Sequence, residues 1–255
     1  MASVLAIVNQ KGGVGKTTTS INLGSYLAEA GKPTVVIDLD PQANATAGVG
    51  VKVPEEAPTV YEVLLERCTA ADALQATTLE NFNIIPSRPD LVGAAIELMD
   101  QPYREYRLRR ALKPLHENFD FILIDCPPSL GMLTVNALAA ADRLLIPVQC
   151  EFYALEGLNQ LMQTVEMVRQ HLNPQLQVLG AVLTMFDRRT SLSRKVVRDV
   201  RRTFPGHVFD SVIPRNTEIA EAPETGQTIL EYASHSRGAK AYEYLSEELL
   251  NLYVD

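Results

Sequence analysis

Short apolar runs alternate along this chain with longer segments of helical periodicity. Val4 to Val8 is continuously apolar and reads as a buried strand. It runs into a loop with three glycines, then into Ile21, Leu23, Tyr26 and Leu27 at helical spacing. Gly31 and Pro33 close that helix, and Thr34 to Ile37 reads as a second strand. Residues 44–60, rich in Ala, Gly, Val and Pro, read as a loop, and Val60–Leu65 and Ala70–Leu74 as short helices. Phe82 to Ile85 is a third strand, and 93–117 predicts a helix. Further strands follow at 119–124, 143–147, 176–184 and 208–213, with helices running to Leu172, over 188–202 and over 239–252. The alternation predicts an α/β fold: a doubly wound, largely parallel sheet flanked by helices, in a single domain over residues 1–255.

With 255 residues, 46% of them hydrophobic, the chain can bury one sizeable core. Cys68, Cys126 and Cys150 lie far apart without C-x-x-C spacing, which suits a reducing cytoplasm and excludes a zinc or disulfide framework. His116, His171, His207 and His235 form no metal-ligand spacing. No signal peptide or membrane-spanning run is visible. The net charge of −8 excludes a globally basic nucleic-acid binder, so any such contact has to be a local patch.

The chemistry concentrates where strands end. Lys11-Gly12-Gly13-Val14-Gly15-Lys16-Thr17-Thr18 stands between a strand and a helix, the context of a phosphate-binding loop. The glycines let backbone N–H groups approach a polyphosphate, Lys16 offers a point charge for the β- and γ-phosphates, and the Thr17 hydroxyl suits Mg²⁺. The usual first glycine of this pattern is replaced by Gln10, and an additional lysine, Lys11, precedes the glycines. The second strand ends in Asp38-Leu39-Asp40, and the fourth in Asp125. Asp125 suits Mg²⁺ held through water. Side-chain alternation lets one of Asp38 and Asp40 face the site; Asp40 is the candidate for orienting the attacking water or supporting the metal, Asp38 a structural residue.

Lys11 to Thr18, Ile37 to Gln42, Ile124 to Ser129 and Ile213 to Asn216, in this order and spacing, resemble the ParA/Soj partition ATPases, a deviant Walker A group of P-loop proteins. The likeness spans nearly the whole chain, including Glu151 to Gly157 and Thr184 to Asp187. It implies ATP and Mg²⁺ as cofactors and an ATP-dependent homodimer in which Lys11 reaches the partner's bound phosphates. It further implies an adenine pocket lined by Met185, Pro214 and Asn216, with Arg215 beside it, and hydrolysis that needs Lys11, Lys16 and Asp40. It implies binding to double-stranded DNA without sequence preference, stimulation by a ParB-type centromere-binding partner, and a cytoplasmic, nucleoid-associated location. Longer plasmid relatives carry a helix-turn-helix domain ahead of the loop; with the loop beginning at residue 11, no such domain is expected here.

The segment 188–202 tests the DNA expectation independently. Arg188, Arg189, Arg194, Lys195, Arg198, Arg201 and Arg202 face a single acid, Asp199. At about 100° per residue, Leu192, Val196, Val197 and Val200 share one arc and most of the cations the opposite one. A solvated face in an acidic protein would mix signs, so a phosphate-backbone contact is the sharper reading. Arg189 resembles the family's DNA-contacting arginine, and Arg215 and Arg237 extend the patch. No aromatic residue is interleaved, which disfavours base stacking on single strands. Two competing readings are weaker. A MinD-type division-site ATPase ends in a basic helix that lies on lipid, whereas this tail carries Glu243, Glu247, Glu248 and Asp255, so no membrane partner is expected. An iron–sulfur reductase on the same loop needs paired cysteines, for which Cys126 and Cys150 lack the context.

Overall fold

A computed structural model describes residues 2–152 and 154–253, with the side chains of Leu155 and Glu156 outside that description. Tyr153 and those two side chains, within the Glu151–Gly157 stretch, and Asp255 therefore lie outside the described residues. Eight strands, β1 (Ser3–Ile7), β2 (Thr34–Asp38), β3 (Gln75–Ala76), β4 (Phe82–Ile85), β5 (Phe121–Asp125), β6 (Arg143–Gln149), β7 (Gln177–Phe186) and β8 (Val208–Pro214), form one sheet. Their order is β3-β4-β2-β5-β1-β6-β7-β8, and every pairing is parallel except β3 with β4.

The central strands are apolar throughout because both faces are covered. In β1, Val4 and Ala6 join the core on one face while Leu5 and Ile7 join the other; β5 divides Ile122 and Ile124 from Phe121 and Leu123 in the same way. Helices α1 (Lys16–Glu29), α2 (Asn44–Gly48), α9 (Thr217–Glu221), α10 (Ile229–Ala233) and α11 (Arg237–Asn251) lie on the second face. Helices α3 (Val60–Leu64), α4 (Leu91–Glu97), α5 (Arg107–Leu112), α6 (Met132–Ala140), α7 (Ala154–His171) and α8 (Ser191–Thr203) cover the first.

Gly24 lets α1 sit directly on the sheet. A Cβ there would lie 2.6 Å from Cε2 of the buried Phe82 ring. Alanine would gain about 1 kcal/mol of helix propensity but would force an overpacked ring costing about 1–3 kcal/mol. Gly24→Ala is expected to lower the thermal midpoint, as read by calorimetry; an unchanged or raised midpoint would show that the ring moves freely.

Several expectations fail for local reasons. The loop read over 44–60 contains α2, which begins after Ala43 in a left-handed conformation. Ala70–Leu74 forms turns rather than a helix, because Thr69 donates twice to the Asp72 carboxylate (2.9 and 2.6 Å) and closes the chain locally. The chain then enters β3, an edge strand too short to show periodicity. The helix read over 93–117 is broken into α4, α5 and flanking 3₁₀ turns. Pro102 and Pro114 lie at the interruptions, and Tyr103 sits at φ 54°.

At the far edge, the pairing of β8 with β7 slips between Val208 and Val212. The Asp210 and Ser211 N–H groups in this irregular stretch both donate to Glu248 of α11, at 2.7 and 3.1 Å.

Candidate functional site

The carboxyl ends of β1, β2, β5, β7 and β8 bring the candidate residues to one edge of the sheet, where an open α/β sheet binds ligands. The loop after β1 is held by side chains at its two sides. Asn9, buried, donates Nδ2 to Pro147 O (2.7 Å) and accepts the Lys11 N–H on Oδ1 (3.0 Å). Thr184 at the end of β7 donates Oγ1 to Val14 O at 2.8 Å. Gly13 (φ 70°) and Gly15 (φ 88°) take left-handed conformations that side chains resist. Gly15 caps α1 without a side-chain hydrogen bond, and the first turn holds no acid, so the helix's leading N–H groups are left for an anion.

Lys16 is buried and its Nζ donates to Lys11 O at 3.4 Å. Burial pushes its pKa down, and the Asp125 and Asp40 carboxylates pull it back up. Asp125 is fully buried, accepts the Ser20 hydroxyl on Oδ1 at 2.9 Å, and leaves Oδ2 without a hydrogen-bond partner. Burial raises its pKa, the Asp38 charge adds to the rise, and the hydroxyls of Thr17 and Ser20 oppose it. An orphaned buried carboxylate oxygen beside a threonine hydroxyl is a donor set that suits Mg²⁺, whose charge would offset the burial cost.

Asp38 is engaged internally. Its Oδ1 accepts Asp40 N (3.2 Å), and its Oδ2 accepts Thr46 N (2.8 Å) and the Thr46 hydroxyl (2.7 Å). Asp40 instead borders a cleft of about 310 Å³ together with Gly12, Gly13, Lys16 and Thr17, and its Oδ1 accepts Gln42 N at 3.0 Å. A second cleft of about 300 Å³ meets the first at Gly15, Thr18 and Met185, and is lined further by Pro214, Arg215 and Asn216. Met185 holds a left-handed backbone, φ 51°, a strain that is common at ligand sites. Lys11 lies at the rim, half-buried, with Nζ 3.5 Å from the Glu151 carboxylate.

The second cleft shares a wall with a basic pocket. Pro214, Arg215 and Asn216 also line a cavity of about 660 Å³ that holds Arg188, Arg189 and Arg237. Asp187 is the one acid among its lining residues, and Arg189 holds that carboxyl well down, to about 2.

On α8, Ser193, Val196 and Val200 are the buried positions, so Leu192, placed on the apolar arc by spacing, is instead exposed. Arg194, Lys195 and Arg198 are exposed on this helix. Arg201 turns to Asp210, with Nη1 at 3.1 Å from its carboxylate and Nη2 at 3.3 Å from its carbonyl, and Arg202 faces Asp199 at 3.6 Å. These two are therefore engaged within the chain. Spacing located the cations on the helix but not their partners on the helix itself and on the following strand. Sequence reasoning missed Asn9, Ser20, Thr46 and Thr184 as supports of the site; the visible signal is a polar residue at the end of an apolar strand or inside a buried helix.

A family profile described as an AAA domain matches residues 2–178. The sporulation initiation inhibitor protein Soj of Bacillus subtilis is 50% identical over 249 residues, covering 98% of both chains. The chromosome partitioning protein ParA of Myxococcus xanthus is 49% identical over 247 residues, covering 97% of this chain and 87% of that one. Among solved structures, a cobyrinic acid a,c-diamide synthase from Mycobacterium smegmatis, with bound ADP and magnesium, superposes with a TM-score of 0.87 at 39% identity. That match covers 100% of this chain and 96% of the other. Sheet order, loop geometry and full-length likeness agree, and the chain belongs to the ParA/Soj family of chromosome-partitioning P-loop ATPases.

Proposed function

We propose that this chain binds ATP with Mg²⁺, dimerises around the nucleotide, and in that state holds double-stranded DNA without sequence preference. The observation that carries the reading is the shared wall: Pro214 to Asn216 border both the nucleotide-side cleft and the arginine pocket. A nucleotide seated on one side of that wall bears on residues that a DNA backbone meets on the other. In this reading the loop amides and Lys16 hold the β- and γ-phosphates, and adenine lies against Met185, Pro214 and Asn216. Asp40 orients the attacking water, and Lys11 reaches the phosphates bound by the partner. Thr17 and Asp125 would hold Mg²⁺, which would supply charge neutralisation of the phosphates. Turnover is slow alone and rises with a ParB-type partner; the comparison of ATPase rates with DNA, with such a partner and with both tests that step.

DNA contact then runs through Arg194, Lys195, Arg198 and Arg237, with Arg189, Arg201, Arg202 and Arg215 joining once their intrachain carboxylate partners Asp187, Asp210, Asp199 and Glu151 are displaced. Wild-type protein with ATP should be retained on double-stranded DNA of any sequence and lost with ADP. Arg189→Ala with Arg198→Ala should weaken retention uniformly across sequences and reduce the salt slope by about two, one per phosphate contact. Unchanged retention at moderate salt would sink the assignment.

The described part of the tail argues against a lipid-seeking helix. The apolar side of α11 (Ala239, Tyr242, Leu245 and Leu249) is buried in the core, and Tyr242 meets the Thr19 hydroxyl at 3.3 Å. No helix among the described residues is long and apolar enough to cross a membrane. The cysteines are free, with Cys126 and Cys150 buried, and the described residues hold no group of three or more His, Cys, Asp or Glu placed to share a metal ion.

A further inference from the structure

The arginine pocket contains its own anion. Arg189 grips Asp187 with both arms of its guanidinium: Nε lies 3.0 and 3.3 Å from the two carboxylate oxygens, and Nη2 lies 2.9 Å from Oδ2. This fork-to-fork geometry is the one a guanidinium adopts on a phosphate. The acid lies beneath and the arginine above it, their side chains 19% and 82% exposed. Oδ1 also accepts the Arg189 N–H at 2.9 Å, which shapes the turn into α8. The other cations lining the pocket are Arg188, Arg215 and Arg237.

Asp187 is also tied to the nucleotide side. It follows Met185 and Phe186 directly, and Arg215 N donates to Phe186 O at 3.0 Å. The strained residue at the second cleft, Met185, is thus two positions from the acid that occupies Arg189, and the same backbone bond joins both to the end of β8.

We propose that Asp187 is an internal stand-in for a DNA phosphate, holding the Arg189 fork so that DNA must compete for it. The inference rests on the DNA-binding reading above and specifies how that binding is restrained. A nucleotide pressing on Met185 and the Pro214–Asn216 wall shifts the balance by moving the segment that carries Asp187. The exposed pair is a weak one, so a polyanion can displace it. Its removal leaves a net gain of positive charge facing DNA.

The test is Asp187→Asn, which can still accept the Arg189 N–H and keep the turn while losing the charge. DNA retention is measured without nucleotide and with ATP, across a salt series, for wild type, Asp187→Asn and the double variant Asp187→Asn/Arg189→Ala. Expected is a gain of about threefold to fivefold in nucleotide-free affinity for Asp187→Asn, as the loss of an exposed ion pair allows. The ratio of ATP-bound to nucleotide-free affinity should fall, and the gain should vanish in the double variant. A merely structural role would lower affinity in both states, and that result overturns the proposal. An unchanged ratio, or a gain that survives without Arg189, overturns it too. Wild type failing to bind DNA with ATP would instead defeat the DNA-binding reading itself.

Discussion

Replacing Asp40 by alanine is expected to cut ATP turnover by about 10²–10⁴-fold, the range for loss of a group that positions or accepts a proton, with ATP binding kept near the wild-type level. Two carboxylates end β2 within three residues, but their surroundings separate them. Asp38 has both oxygens engaged by Asp40 N and by Thr46. Asp40 spends one oxygen on Gln42 N and borders the cleft beside Gly12 and Lys16. Removing Asp40 takes away no support of the phosphate loop, which hangs on Asn9 and Thr184. The variant should therefore still assemble with ATP and stay on DNA longer than wild type. Phosphate release and DNA dwell time read the two halves of this expectation. Turnover within a few-fold of wild type would remove Asp40 from the reaction.

Lys11→Ala should abolish ATP-dependent dimerisation at concentrations where wild type is fully dimeric. A two-fold dimer uses each interfacial contact twice. Two charge-assisted contacts at about 1.5–3 kcal/mol each weaken the dimer by about 10²–10⁴-fold. Lys11 is placed for such a role by what it lacks in its own chain. Its Nζ meets only the Glu151 carboxylate among the described contacts, at 3.5 Å with both side chains partly exposed. Lys16, by contrast, is buried at the start of α1 and belongs to its own loop. Nucleotide binding by the variant should persist, because Lys16 and the loop amides remain. Light scattering with ATP, ADP and no nucleotide gives the answer; normal dimerisation of Lys11→Ala would sink the trans assignment.

The nucleotide edge was legible because its signals are local. Glycines at 13 and 15 are needed where the backbone turns left-handed, and the aspartates stand where apolar runs stop. What escaped depends on three-dimensional geometry that composition and spacing do not carry. The break between α4 and α5 contains Pro102, and α5 gives way to a 3₁₀ turn at Pro114, two signals that periodicity alone does not register. The helix α2 has no capping side chain and only five residues, so nothing in its composition announces it. On α8, charge spacing located the cations, but Asp210 on β8 decides that Arg201 faces inward along the surface. Arg189 carries a similar lesson, since its partner lies two residues away yet only geometry shows a bidentate grip.

The Glu248 carboxylate has a consequence for how copies of this chain can meet. Parallel sheets of this kind end in strands whose open N–H groups invite a neighbouring chain to pair with them. Here Asp210 and Ser211 already spend theirs on Glu248, Arg201 covers the Asp210 carbonyl, and the opposite margin tapers to the two residues of β3. Growth of the sheet from one molecule into the next is closed off at β8 and short of template at β3. The nucleotide-dependent dimer proposed above would then have to form at the loop edge and not by strand addition.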